Sequence, residues 1–142
     1  MTLNILVVDD STVMRAMLIK TLRLSGLPLN DIYEASNGEE ALRLLDQHWI
    51  DLALLDINMP IMTGEEMLVR VRQNPETASL PVIVVSTEGS ETRIAALRRQ
   101  GAEFVHKPFT PETLREIAIS LIGVDDAHHL EGGIISSSSP DF

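Results

Sequence analysis

Four short, wholly apolar runs set the limits on this fold: Ile5-Leu6-Val7-Val8, Leu52-Ala53-Leu54-Leu55, Val82-Ile83-Val84-Val85 and the shorter Phe104-Val105. A strand with one wet face alternates apolar and polar residues. An unbroken apolar run bounded by polar breakers instead suits a strand covered on both faces, as in a parallel sheet. Each run stops at residues that carry chemistry. Asp9-Asp10 ends the first, Asp56 the second and Ser86-Thr87 the third, while the fourth passes through His106 to Lys107-Pro108. Ligands of open parallel sheets gather outside the carboxyl ends of the strands. Side by side, these runs would bring three carboxylates, a hydroxyl and an ammonium to one pocket.

Between the runs lie segments of helical period. Met14, Met17, Leu18 and Leu22 follow Ser11, an N-cap candidate, and Gly26 and Pro28 end that helix. A second helix starts at about Gly38 with Leu42, Leu45 and Trp49 facing inward. A third, with Met67, Leu68 and Val71, runs from Thr63-Gly64 to Asn74-Pro75. A fourth covers about Glu91 to Gln100 and ends at Gly101; a fifth starts at Pro111 and carries Leu114, Ile117, Ala118 and Leu121. Ile32-Tyr33 with Ala35 reads as a short edge strand. Trp49 is expected to close a helix seam, and the six methionines to serve mostly as packing. A strand–helix alternation repeated five times implies a doubly wound α/β sheet. From Gly123 the period is lost, so the expected organisation is one domain over 1–122 and a disordered tail over 123–142.

Composition narrows the function. A chain of 142 residues suits one domain with a full core. The absence of cysteine excludes disulfides and thiolate metal sites. A net charge of −10 argues against direct nucleic-acid binding, which draws its affinity from phosphate neutralisation by Lys and Arg. No stretch approaches the ~18 apolar residues of a membrane helix, so a cytoplasmic protein without membrane association is expected. Lysine occurs only at Lys20 and Lys107, which makes the strand-end Lys107 conspicuous.

Three clustered carboxylates repel one another: two unit charges ~4 Å apart cost roughly 4 kcal/mol at an effective dielectric near 20. Such a cluster persists if a hard cation sits in it or if some carboxyls hold protons. Oxygen ligands without thiolates favour Mg²⁺ or Mn²⁺ over zinc. An aspartate beside such a cation and an ammonium can attack phosphorus, and Ser86 could donate to the same oxygens. The bland alternative makes Asp9, Asp10 and Asp56 strand-end turn formers. One such aspartate would be unremarkable; three, with Ser86 and Lys107 closing two further strands, are not.

Ile5 to Ser11 (ILVVDDS), Asp56 to Gly64 (DINMPIMTG), Ser86-Thr87-Glu88 and Lys107-Pro108-Phe109 resemble the receiver domain of two-component response regulators. The resemblance spans about Asn4 to Leu121. Asp10-Ser11 followed by Met14-Arg15, Asn58-Met59-Pro60 and Lys107 to Leu114 (KPFTPETL) are similar to the single-domain chemotaxis, or CheY-like, type. Glu103-Phe104-Val105-His106 departs from the acidic residues and tyrosine that usually precede the lysine in DNA-binding regulators. The resemblance implies a flavodoxin-like, five-stranded parallel sheet of order 2-1-3-4-5 with five helices.

It also implies roles. Asp56 would accept a phosphoryl group from a histidine kinase. Asp10, Asp56 and the Asn58 carbonyl would hold Mg²⁺, with Asp9 acting through a water. Lys107, ahead of a cis Pro108, would pair with the phosphoryl group, and Ser86 would move to bond its oxygens. Phe104 stands where most chemotaxis relatives have a switch tyrosine; lacking the hydroxyl, it favours inward burial. The ring is expected to turn in from solvent, so that the fourth helix, its own strand and the fifth helix form the output face for a phosphorylation-dependent protein target. Asn58 and Glu88 are expected to admit an attacking water and to set a phosphoryl lifetime of seconds to minutes. A monomer is expected, with a dimer as the alternative, and no turnover of an external substrate.

Other residues carry weaker signals. His106 should share Phe104's face as an ordinary half-exposed histidine, and Arg98-Arg99 should lie on a solvated helix face. His128-His129 beside Asp125-Asp126 lack the preorganisation a metal site needs. Three other functions stay open. A haloacid-dehalogenase-type phosphatase also uses an aspartyl phosphate, but it resembles Asp-x-Asp after the first strand, where this chain has Asp56-x-Asn58 after a later one. A flavodoxin-like FMN carrier would meet repulsion from Asp9-Asp10, and a colourless protein disposes of it. A receiver working without phosphate fits poorly with an intact Asp56, Asp10 and Lys107. The lack of apolar period after Gly123 predicts that deleting residues 123–142 leaves the thermal unfolding midpoint nearly unchanged. A loss of several degrees would mean that the tail packs on the domain.

Overall fold

The computed structural model describes residues 2–57, 59–86, 91–107 and 109–122. The expectations for Asn58, Thr87, Glu88, Pro108 and the tail from Gly123 therefore lie outside the described residues.

All four apolar runs are strands. In chain order the elements are β1 (Leu3–Val8), α1 (Thr12–Leu24), β2 (Leu29–Ala35), α2 (Gly38–Gln47), β3 (Leu52–Leu55), α3 (Gly64–Gln73), β4 (Val82–Ser86), α4 (Glu91–Arg99), β5 (Glu103–His106) and α5 (Pro111–Ile122). The strands form one parallel sheet of order β2-β1-β3-β4-β5. The order reverses between β1 and β3, and the carboxyl ends at such a switch point are where ligands of open parallel sheets gather.

Both faces of the sheet are covered, which is why the runs do not alternate. Leu6, Val8, Ala53, Leu55, Val82 and Val84 point into a layer shared with Ala41 of α2, Met67, Leu68 and Val71 of α3, and Leu97 of α4. Leu3, Ile5, Val7, Leu52, Leu54, Ile83 and Val85 point the other way, against Leu18 and Leu22 of α1 and Leu114 and Ala118 of α5. The register places Val8, Leu55, Val84 and Phe104 in one row across four strands. Asp9 and Asp56 each follow that row by one residue, Ser86 by two and Lys107 by three. Register alone therefore delivers the polar groups to one rim.

Local signals fix the helix starts. The Ser11 hydroxyl accepts the Met14 N–H at 3.1 Å, and the Asn37 side chain accepts the Glu40 N–H at 2.9 Å. Thr63 and Glu66 form a reciprocal capping box at 3.2 and 2.9 Å.

Two inward assignments are corrected. Trp49 is 73% exposed, because α2 ends at Gln47 with His48 as its C-cap, so no helical turn remains to carry the indole inward. Met17 is 53% exposed, because the seam of α1 runs through Leu18 and Leu22. Met59, Met62 and Met67 are buried as packing residues.

Gly64 shows where the fold leaves no room. A Cβ there would lie 2.8 Å from the Asp56 carbonyl oxygen and from the Ile57 Cα, both backbone atoms. Gly64→Ala should therefore destabilise the domain by about 1–3 kcal/mol, as overpacking does. Urea unfolding checks this, and an unchanged midpoint would show that the loop yields freely.

Candidate functional site

The carboxylates are held from the backbone upward. The Asp9 N–H donates to the Ala35 carbonyl at 3.1 Å, and the Asp56 N–H donates to the Val8 carbonyl at 2.9 Å. Each aspartate thus continues its strand's hydrogen bonding one step beyond the apolar run. On α1, Arg15 donates to the Asp9 carbonyl at 2.6 Å and pairs with Glu34 of β2 at 3.0 Å. Asp9, Asp10 and Asp56 each bring one oxygen within 4.8 Å of the others. Asp9 is 2% exposed and Asp56 9%, whereas Asp10 lies open to solvent.

Asp9 is the strained member. Its Oδ1 accepts the Ser11 N–H at 2.9 Å. Its buried Oδ2 meets no hydrogen-bond donor among the described residues. Burial pushes the Asp9 carboxyl above the ordinary carboxylate range. The Ser11 N–H, Lys107 and Arg15 oppose the shift, and Asp10 adds to it. An acceptor oxygen buried without a donor, beside two more carboxylates, suits a hard cation. The residues fit the divalent ion that the sequence calls for.

The other two strands close the rim. Ser86 is 2% exposed, and its carbonyl accepts the Lys107 N–H at 3.0 Å, so the end of β4 is joined by backbone to the residue that follows β5 at this rim. Lys107 acts electrostatically on Asp9, which puts its charge on the carboxylate side of the rim. Asp9, Asp10, Asp56, Ser86 and Lys107 are thus gathered at one end of the sheet.

After Asp56 the chain turns sharply. The Met62 N–H donates to the Pro60 carbonyl at 2.7 Å, with Ile61 at φ 70° between them, a γ-turn that few β-branched residues adopt. Ile61 is 71% exposed, so packing does not explain its presence there. The Gly64 N–H then donates to the Ile57 carbonyl at 2.9 Å, fastening α3 against the loop. Glu65, next in line, accepts two hydrogen bonds from Arg93 of α4, each of 2.7 Å, and the pairing holds its carboxyl below the usual range.

Phe104 is turned inward, as its missing hydroxyl implied, and does not start from solvent, as its switching role implied. Its ring is 7% exposed, inside the layer that holds Leu97 and Ile94, rather than in solvent. Without a hydroxyl, nothing keeps it at the surface. The exposed His106 meets it edge-on, ring centroids 4.8 Å apart, which bears out their shared face. Both line a groove of about 710 Å³ with Ile94, Ala95 and Arg98 of α4. Arg98 lies 3.9 Å from Glu103, both exposed. The sequence reading missed the Arg15 grip and the Glu65–Arg93 pair; Thr63-x-x-Glu66 was a legible capping signal.

The response regulator receiver domain profile matches residues 5–119. Chemotaxis protein CheY1 of Helicobacter pylori is 35% identical over 126 residues, covering 87% of this chain and 100% of that protein. A Campylobacter jejuni chemotaxis protein CheY homolog is 35% identical over 85% of this chain and 93% of its own length. Among solved structures, Vibrio cholerae CheY4 superposes with a TM-score of 0.74 at 32% identity, covering 85% of this chain and 99% of that one. CheY of Borrelia burgdorferi, solved in a CheX-CheY-BeF₃-Mg complex, gives 0.77 at 29% identity, covering 86% and 90%. The chain belongs to the response regulator receiver domain family.

The buried Asp9 carboxylate has a measurable consequence. A carboxyl whose folded pKa is raised stabilises the fold fully below the ordinary carboxylate range, and that contribution is lost as pH rises through the folded value. At neutral pH in chelator, Asp9→Asn should therefore raise the thermal midpoint by about 2–5 °C, roughly 1 kcal/mol for a domain of this size. The gain should shrink in acid, as the pH falls through the raised folded value toward the ordinary carboxylate range and the wild-type carboxyl regains its proton. Thermal melts at neutral and acid pH check the sign; a lower midpoint for Asp9→Asn at pH 7 would contradict it.

Proposed function

We propose that this receiver is a single-domain response regulator of the chemotaxis type, which takes a phosphoryl group from a histidine kinase onto Asp56 and thereby changes its binding to a protein target. The observation that carries the reading is the gathering of Asp9, Asp10 and Asp56 within 4.8 Å at the rim that Ser86 and Lys107 complete. The protein names of the 35%-identical relatives support the chemotaxis assignment.

In the proposed transfer, an Asp56 carboxylate oxygen attacks the phosphorus of a phosphohistidine. The P–O bond forms as the P–N bond breaks, and the electron pair leaves with the imidazole. Asp56 is suited to this because its backbone is fixed by Val8 while its side chain retains 9% exposure, enough for in-line approach from the rim. The Lys107 ammonium offsets charge on the transferred group, and the Ser86 hydroxyl donates to one of its oxygens. Asp10, Asp56 and the Asn58 carbonyl would hold Mg²⁺, with Asp9 acting through water, and the ion would neutralise oxygens of the phosphoryl group; Mn²⁺ could take its place. Asn58 and Glu88 are assigned the orientation of the water that later hydrolyses the acyl phosphate. The chain acts on its own phosphate and turns over no external substrate.

The target is assigned to the groove of α4 and β5. A dianion on Asp56 draws Ser86 inward, and Phe104, already packed beside α4, transmits the change to that surface. Because the ring is 7% exposed at the outset, added burial of Phe104 contributes little driving force. Glu65–Arg93 gives α4 a second tie to the site. A cytoplasmic monomer, meeting its kinase and target by diffusion, fits this role; a dimer is the alternative.

Incubation with Mg²⁺ and a small phosphodonor such as acetyl phosphate tests the assignment. The wild type should gain acid-labile phosphate and lose it within seconds to minutes once the donor is removed. Asp56→Asn should gain none while keeping the wild-type circular dichroism. Undiminished uptake by that variant would remove Asp56 from the role. Repeated turnover of an added phosphomonoester would instead favour the phosphatase reading.

A further inference from the structure

The opposite end of the sheet holds a second built surface. A cleft of about 560 Å³ lies at the amino ends of β3 and β4, lined by Trp49, Ile50, Asp51, Glu76, Leu80 and Pro81 among others. Trp49, the only tryptophan of the chain, stands there 73% exposed. It is exposed yet held in place. Its indole N–H donates to Asp51 Oδ1 at 2.9 Å, and its carbonyl accepts the Asn4 side-chain N–H at 2.9 Å. Asn4 and Asp51 are themselves joined twice, Asn4 N–H to Asp51 Oδ2 and Asp51 N–H to the Asn4 carbonyl, both at 2.8 Å. The neighbouring His48 is stacked on Tyr33, ring centroids 4.2 Å apart. A large aromatic face is thus fixed toward solvent, the arrangement of a binding hot spot.

We propose that this cleft binds an arginine side chain of a partner protein, stacked on Trp49 and paired with Glu76. Charge complementarity selects the occupant. Two carboxylates, Asp51 and Glu76, line the cleft, and no lysine or arginine does. Asp51 already uses an oxygen on Trp49 and another on Asn4. Glu76 is exposed, and its carboxylate makes no hydrogen bond or ion pair with a described residue. A guanidinium can lie flat on an indole and donate two parallel hydrogen bonds to a carboxylate; an ammonium cannot do both. Ile50, Leu80 and Pro81 supply an apolar wall for the aliphatic stem. The site lies at the sheet end away from Asp56, so a partner held here leaves the phosphoryl rim open.

A fluorescein-labelled peptide of alternating arginine and glycine is the probe, titrated at low salt and read by anisotropy and by Trp49 fluorescence. The wild type should bind it saturably with a change in indole emission, and Asp56→Asn should bind as tightly. Glu76→Gln, an exposed substitution without structural consequence, should weaken binding about tenfold, equivalent to about 1.4 kcal/mol. Trp49→Leu, followed by anisotropy alone, should weaken it at least as much. The same peptide with citrulline for arginine should not bind. Equal binding by Glu76→Gln and wild type would mean diffuse attraction to a chain of charge −10 and would overturn the proposal. Absence of saturable binding, or equal affinity for a lysine–glycine peptide, would overturn it as well.

Discussion

Covering a parallel sheet on both faces is the constraint from which the rest of this structure follows. The central strands, enclosed by α2, α3 and α4 on one side and by α1 and α5 on the other, carry apolar side chains wherever they cross the core. Polarity is therefore confined to their ends. Because the strands run parallel and in register, the carboxyl ends arrive together. Asp9 and Asp56 continue the ladder by one residue through Ala35 and Val8, and so inherit the rigidity of the core. The same enclosure that makes the sheet dry makes Asp9 an uncomfortable anion, with a buried oxygen that no described donor reaches. Crowding of like charge at a fixed rim is a by-product of good packing, and it supplies the driving force for recruiting a cation and a cationic side chain.

Legibility from sequence tracked how local each cause was. Strand runs, the Ser11 cap and the start of α3 near Thr63 are set by neighbours in the chain, and all were where the pattern put them. The edge strand β2 was legible but longer than its apolar core suggested, since Asn30 and Asp31 ride on solvent. Trp49 misled because hydrophobicity alone cannot tell the last turn of a helix from the residue after its cap. Met17 misled because a thioether flanking a seam looks like one within it. Phe104 sat deeper than a switch residue expected in solvent, for want of a polar tip. Long-range polar contacts left no trace at all: Arg72 gives hydrogen bonds to the Ala78, Leu80 and Gln100 carbonyls, a role no spacing rule exposes.

Arg93 and Glu65 belong to this last class and lie closer to the Asp56 rim. Glu65 follows Gly64, whose α-carbon packs against the Asp56 backbone, while Arg93 stands in the first turn of α4. A short covalent path and a bidentate ion pair thus join the loop after Asp56 to the helix that shelters Phe104. Partly exposed pairs contribute modestly to stability. Their geometry, however, limits how far α4 can move without breaking two hydrogen bonds at once.

The strand order has one more consequence, in how stability is shared out over the sheet. β1 and β3 sit inside, each paired on both sides, whereas the four-residue β5 is an edge held by β4 alone. Local opening in a folded protein takes the least-held element first. β2 is the other edge, but β5 is the shorter, and its opening would take Lys107 and Phe104 together and leave Asp9 and Asp56 in register. Asp9 and Asp56 are tied to the doubly paired strands and Lys107 to an edge, so a phosphoryl group on Asp56 that reached Lys107 would also pin β5.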